Sequence, residues 1–204
     1  AFRELILVCA GALDIGLADF LETEQESGPH KARVALRRLT TALDGFDPIL
    51  RHKRARALRK KAKALFRQLG EVRDSDVFML SRAQNRGHEK RLKANLALRR
   101  KVRKRLRKDR VVGLSGEITR AVMPGGELFR DTPKARVLRR APLSDFACGL
   151  LEQAWQRVVS YGQDIHSLPP ERMHEFRKDM KSLRYLAEFF ASHFPALGAE
   201  PFRS

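Results

Sequence analysis

His30-Lys31-Ala32-Arg33-Val34-Ala35-Leu36-Arg37-Arg38-Leu39 decides how this chain is read, because a version of it returns 144 positions later. The return is His174-Glu175-Phe176-Arg177-Lys178-Asp179-Met180-Lys181-Ser182-Leu183-Arg184-Tyr185. Both copies follow the pattern H-x-x-R-x-x-x-[R/K]. In an α-helix, positions i, i+3 and i+7 share a face. His30, Arg33 and Arg37 therefore form one stripe, and His174, Arg177 and Lys181 form another that Arg184 extends. The opposite faces are apolar in both copies: Ala32, Leu36, Leu39, Leu43 and Phe46 in the first, Phe176, Met180, Leu183, Ala187 and Phe190 in the second. Each segment reads as an amphipathic helix with an apolar back and a cationic front, and the chain reads as a duplication built on the two.

Composition points to the ligand class. The 204 residues carry 42 Lys+Arg against 24 Asp+Glu, a formal net charge of +18. Self-repulsion on that scale opposes compaction, so a polyanionic partner is expected. Nucleic acid, an acidic membrane surface and phosphate polymers share that chemistry. Cys9 and Cys148 lie in apolar helical patterns without metal-ligand spacing, which predicts buried thiols in a reducing compartment. The apolar run Leu5 to Leu17 is interrupted by Asp14 and lacks a basic start or cleavage site, which predicts a soluble cytoplasmic protein without a membrane span.

In chain order, Phe2, Ile6, Cys9, Leu13, Leu17 and Phe20 predict an opening helix whose polar residues are mostly acidic, a packing element. Ser27-Gly28-Pro29 breaks it before the His30 helix, which ends near Asp44-Gly45-Phe46. A third helix is expected from about Ile49, with Ala55, Leu58, Ala62, Leu65 and Leu69 on one side and Arg56, Arg59, Lys60, Lys63 and Arg67 on much of the rest. Gly70 reads as its stop, and Arg73-Asp74-Ser75-Asp76 as the start of another helix through Met79. The densest basic run, Arg86 to Arg110, predicts a long helix with Leu92, Leu96, Val102 and Leu106 on its thin apolar edge. Gly and Pro punctuate Val111 to Leu143, a connector with one short helix near Glu117 to Met123. Ser144 to Ile165 is again amphipathic, and the 144-residue offset places Phe146 on Phe2, Leu150 on Ile6 and Tyr161 on Leu17.

The expected architecture is all-α: residues 1–110 as a first helical half, 111–143 as a connector, and 144–204 as an incomplete second half. Ser204 corresponds to Lys60, so counterparts of the third and fourth helices are missing from the second copy, as in a cut piece of a longer protein.

Two cationic stripes suit a chain of phosphates, because Arg forks and Lys ammonium groups at one-turn intervals engage successive anionic groups. His30 and His174 invite a metal or catalytic reading. Neither has a second His at i+4 or a nearby Cys, and no P-loop, nucleophile elbow or HExxH occurs, so no catalytic residue, metal or cofactor is expected. Among so many cations an unliganded imidazole should resist protonation.

Three segments in order carry a resemblance: the His30 stretch, Leu69-Gly70-Glu71-Val72-Arg73-Asp74-Ser75-Asp76-Val77, and the His174 stretch. Together they resemble the CHAD domain, the conserved histidine α-helical domain, over nearly the whole chain. The resemblance implies two pseudo-symmetric antiparallel helical bundles around a basic groove, and non-catalytic binding of inorganic polyphosphate, in some relatives beside a triphosphatase domain. Association with polyphosphate granules goes with it. By position, His30, Arg33, Arg37 and Arg38 would line the groove from the first half, and His174, Arg177, Lys181, Arg184 and Tyr185 from the second, with Arg59 and Lys63 from the following helix. Thr40 stands where relatives often carry an Arg. The alternatives are a nucleic-acid-binding basic helical protein, for which one Trp and two Tyr offer little base stacking, and a phosphoryl-transfer or triphosphatase accessory domain, for which acidic residues around the first stripe are lacking.

Overall fold

The computed structural model describes residues 1–81, 88–108 and 113–191, and the chain is all-α. The ends of the expected long basic helix, the first residues of the connector and the tail 192–204 lie outside the described residues.

The opening helix α1 runs Phe2–Glu22 and α2 runs Ser27–Gly45. All six residues of the expected apolar stripe of α1, Phe2 through Phe20, are buried. The two helices form an antiparallel hairpin, since Phe2 at the start of α1 stacks 4.7 Å from Phe46 just past α2. Their backbones approach closely at Gly16, where a Cβ would stand 2.5 Å from the Ala32 nitrogen. Only a residue without a side chain fits there. Ala32, Leu36, Leu39 and Leu43 fill the core from α2, as the sequence pattern requires.

After a 3₁₀ turn at Asp47–Ile49, α3 runs unbroken from His52 to Ser81. The expected stop at Gly70 and fresh start at Asp74 do not occur. Gly70 is buried mid-helix, where an added Cβ would collide with Nη1 of Arg33. The glycine makes room for a guanidinium rather than ending a helix.

Asp76 then tethers α3 to α4, His88–Lys108. Its carboxylate takes Arg99 Nη2 at 2.8 Å and Asn95 Nδ2 at 2.9 Å, while Arg99 Nε donates to Asn95 Oδ1 at 3.2 Å. Arg99 and Asp76 are each 2% exposed. A buried charge must be paired and hydrogen-bonded to be tolerated, and this pair meets that demand. Arg103, also within the basic run, donates to the carbonyls of Phe20 and Thr23 and pairs with Glu24, so it fastens α4 to the end of α1.

Two helices occupy the stretch where the sequence suggested one. Along α5, Leu114–Val122, the residues Leu114, Ile118 and Val122 are buried, and Arg3 of α1 donates to the Val122 carbonyl at 3.0 Å. The unexpected α6, Pro133–Arg140, is capped by Thr132, whose side chain accepts from the Ala135 N–H at 3.3 Å.

The second hairpin joins α7, Leu143–Val159, to α8, Pro170–Phe190, by way of a 3₁₀ turn at Ile165–Ser167. α7 ends six residues before Ile165, and Gly162 turns the chain with φ of 87°, a backbone that favours glycine. Tyr161 meets Phe176 at 5.5 Å, so α7 and α8 are antiparallel. Of the two cysteines, Cys9 is buried as expected, whereas Cys148 is exposed, because it falls on the face of α7 opposite Ala147, Ala154 and Val158. Among the described residues no helix is long and apolar enough to cross a membrane.

The two hairpins meet along α2 and α8. Phe46 and Phe190, related by the 144-residue offset, lie 6.0 Å apart, and Phe46 also stacks 4.9 Å from Phe146. α2 and α8 thus run side by side in one direction. The apolar back of α8 is less covered than that of α2: Leu36 is 1% exposed and its counterpart Met180 is 37%. α3 packs over α2 at that height, while α8 packs chiefly on α7 and α2.

Candidate functional site

Side by side, α2 and α8 flank a cleft of about 440 Å³ whose third wall is α3. Arg33 and Arg37 enter it from α2, His174 and Lys178 from α8, and Lys63 from α3, with Thr40, Thr41 and Ser182 as neutral hydroxyl groups and Asp44 as a carboxylate. Lys178 is itself paired with Glu175 at 2.7 Å, and of the second stripe His174 lines the cleft while Arg177, Lys181 and Arg184 do not. Cations from sequence positions some 140 residues apart therefore converge on one depression.

Phe66 of α3 holds the first stripe. Its ring carries the Arg33 guanidinium at 4.1 Å and that of Arg37 at 5.1 Å. Arg33 Nη1 also donates to the Phe66 carbonyl at 3.4 Å, in the space that Gly70 leaves open. A cation over an aromatic face is attracted by the ring quadrupole and loses conformational freedom. The ring and the carbonyl leave most of each guanidinium fork without an acidic partner. Burial, then the charges of Arg37 and Arg73, weaken Arg33's hold on its proton, with Asp74 opposing them.

Lys181 records the meeting of the two stripes. Partial burial first, then the charges of Arg37, Arg184, Arg177 and Arg33, hold its ammonium below the usual lysine range. Two of those cations belong to α2 and two to α8. At His30, burial followed by Arg73 and Arg33 pushes the imidazole below its ordinary value, as the sequence led us to expect.

Four of the expected site residues are occupied by the protein itself. Arg38 pairs with Glu188 at 2.6 Å, lies over Phe189 at 5.2 Å and Tyr185 at 5.8 Å, and is hydrogen-bonded to buried Cys9. Burial raises that thiol to about 11, Arg38 working against the shift. Arg38 thus clamps α1, α2 and α8 together. Arg59 donates to the Leu43 carbonyl at 2.6 Å and to Asp47 at 2.7 Å, and pairs with Asp44 at 2.6 Å. It caps the carbonyl end of α2, where a cation is favoured. Tyr185 is 4% exposed and serves as a platform, with Arg184 at 5.0 Å from its ring centre. Arg184 also lies 3.5 Å from Glu188. Thr40, where a further cation was considered, turns its hydroxyl back to the Arg37 carbonyl at 2.9 Å.

What sequence reasoning missed is the support. Phe66 and Gly70 carry no charge and sit in a different helix from the stripe they position. A phenylalanine within the basic stretch, one turn before a glycine, is the available signal.

The matching region and the geometry now coincide. The sequence profile of the CHAD domain matches residues 13–204. This chain belongs to the CHAD domain family. The match takes in both His-motif helices, the Gly70 to Asp76 segment and the whole of the cleft. No curated protein matches the chain. Among the described residues, no group of three or more His, Cys, Asp or Glu side chains is placed to hold a metal ion.

Proposed function

We propose that this CHAD domain binds inorganic polyphosphate, without catalysis, in the cleft between α2 and α8. The observation that carries the reading is the convergence of Arg33 and Arg37 from α2, Lys63 from α3 and His174 from α8 on one cleft. Like charges gathered from two helices raise the free energy of the unliganded protein, and a chain of phosphates relieves that repulsion at every cation it meets. A single orthophosphate relieves it at one or two. The family is associated with the same ligand, and a cytoplasmic location with association to polyphosphate granules accompanies this reading.

The test is a titration at several salt concentrations. Long-chain polyphosphate should bind far more tightly than orthophosphate, with an affinity that falls steeply as salt rises, because binding releases condensed counterions. Binding should need no divalent metal, and polymer length should be unchanged after incubation with magnesium. Equal affinity for orthophosphate and polymer would sink the reading. Tighter, base-selective binding of single-stranded RNA would replace it with a nucleic-acid function.

A further inference from the structure

On α3 the cations divide into two groups. Those facing α5 and the loop after it are neutralised: Lys61 pairs with Glu117 at 2.5 Å, and Arg54 pairs with Glu127. Arg56, Lys60 and Arg67 have no acidic partner among the described residues, Lys63 feels only the Asp44 carboxylate, which Arg59 already holds, and all four side chains are exposed. Their spacing of i, i+4, i+7 and i+11 puts them within one arc of the helix, turned away from the buried line Ala55, Leu58, Ala62 and Leu65. The stripe spans about 16 Å at about 1.5 Å per residue. Asp74, about two turns beyond Arg67 on the same arc, ends it.

Lys63 belongs to both features, since it lines the cleft beside Arg33, Arg37 and His174. The α3 stripe thus runs into the cleft at Lys63, where the cations outnumber the single carboxylate of Asp44. Helix α3 is rigidly backed by the core and fastened to α4 through Asp76 and Arg99, so the stripe is a fixed track.

We propose that the Arg56–Lys60–Lys63–Arg67 face of α3 is a length-reading extension of the site, carrying the part of a phosphate polymer that leaves the cleft past Lys63. This rests on the polyphosphate reading of the cleft. A short chain fills the cleft and stops there. A long one continues along α3, where each further contact adds to an already tethered ligand and so acts at high effective concentration.

The experiment compares tripolyphosphate with a long-chain sodium polyphosphate on the wild-type chain, on Arg56→Ala/Lys60→Ala/Arg67→Ala, and on Arg100→Ala/Lys101→Ala/Lys104→Ala. The last removes equal charge from exposed positions on α4. The α3 triple variant should lose about 10-fold or more in long-chain affinity, from charge-assisted contacts of about 1.5–3 kcal/mol each before water competes, while tripolyphosphate affinity stays within about two-fold. The α4 variant should change both ligands little. Equal loss for the two ligands, equal loss in the α4 control, or unchanged long-chain binding overturns the extension while leaving the cleft intact. Loss confined to single-stranded RNA assigns the stripe to nucleic acid and overturns it as well. A wild-type chain that binds no polyphosphate overturns both proposals together.

Discussion

Gly70 shows how one atom in a packing element governs the placement of a charge in the candidate site. Its missing Cβ is the space into which Arg33 Nη1 reaches toward the Phe66 carbonyl. Alanine is the better helix former, by about 0.5–1 kcal/mol in a helix interior. The group it would displace is the far end of a flexible side chain, which can swing aside. Gly70→Ala should therefore leave the unfolding free energy equal or higher, while weakening long-chain polyphosphate binding about 3-fold or more through a misplaced guanidinium. Urea unfolding and the titration, run on the same preparation, separate the two effects. A variant that unfolds more easily and binds normally would refute this account of Gly70. The sequence alone pointed the other way: a glycine after a run of leucines reads as a stop, because the residue that needs the gap lies 37 positions earlier in another helix.

At the scale of elements, the middle motif, Leu69 to Val77, has a job that its spacing did not disclose. Leu69 and Val72 are core residues, and Asp76 is half of a buried ion pair joining α3 to α4. Nothing in the sequence announces their pairing: Asp76 reads as part of a helix start and Arg99 as one more cation of the basic run, 23 positions away. Removing one partner of such a pair strands the other, at a typical cost of about 3–5 kcal/mol. Asp76→Ala should lower unfolding free energy by about that amount, with hydrogen exchange rising first in α4. A loss below about 1 kcal/mol would show that Arg99 finds other acceptors, Glu24 at 4.0 Å or the Gln25 carbonyl at 3.4 Å being the nearest. The amphipathic helices α1, α2 and α8 were legible because their period is written in a single segment. Helix α6 was not: eight residues with Ala135 alone fully buried make too little pattern. The end of α7 was missed because Tyr161 and Ile165 keep its period after the backbone has turned at Gly162.

For the molecule as a whole, what matters is that charge converges from both hairpins. The recurrence of His-x-x-Arg made the cationic faces legible, and which cations remain free was not, since that depends on acids elsewhere in the fold. Arg38 and Arg59 carry the same charge as Arg33, yet Glu188, Asp44 and Asp47 engage them. Arg33→Ala/Arg37→Ala and Arg177→Ala/Lys181→Ala should each lower long-chain affinity about 10-fold or more, a factor worth about 1.4 kcal/mol. Both should leave the fold as stable or stabler, because each thins a crowd of like charges. The matched control is Arg100→Ala/Lys104→Ala, at exposed sites on α4. Arg103 is unsuitable, since it holds α4 to the end of α1. If the control lost as much affinity as the motif pairs, binding would follow total charge alone.

Glu188 gives the unliganded groove an anion of its own. It faces Arg38 at 2.6 Å and Arg184 at 3.5 Å, one cation from each hairpin. The carboxylate is a resident competitor, covalently tethered and so present at a concentration no free monovalent ion in solution reaches. A visiting anion gains Arg184 by exchange, taking over a position already filled. Chloride or a lone phosphate has little with which to win that exchange, whereas a polymer anchored at Arg33 and Arg37 arrives tethered too. If the cleft takes polyphosphate as proposed, this one glutamate would act as a filter against the small anions that any basic protein meets in abundance.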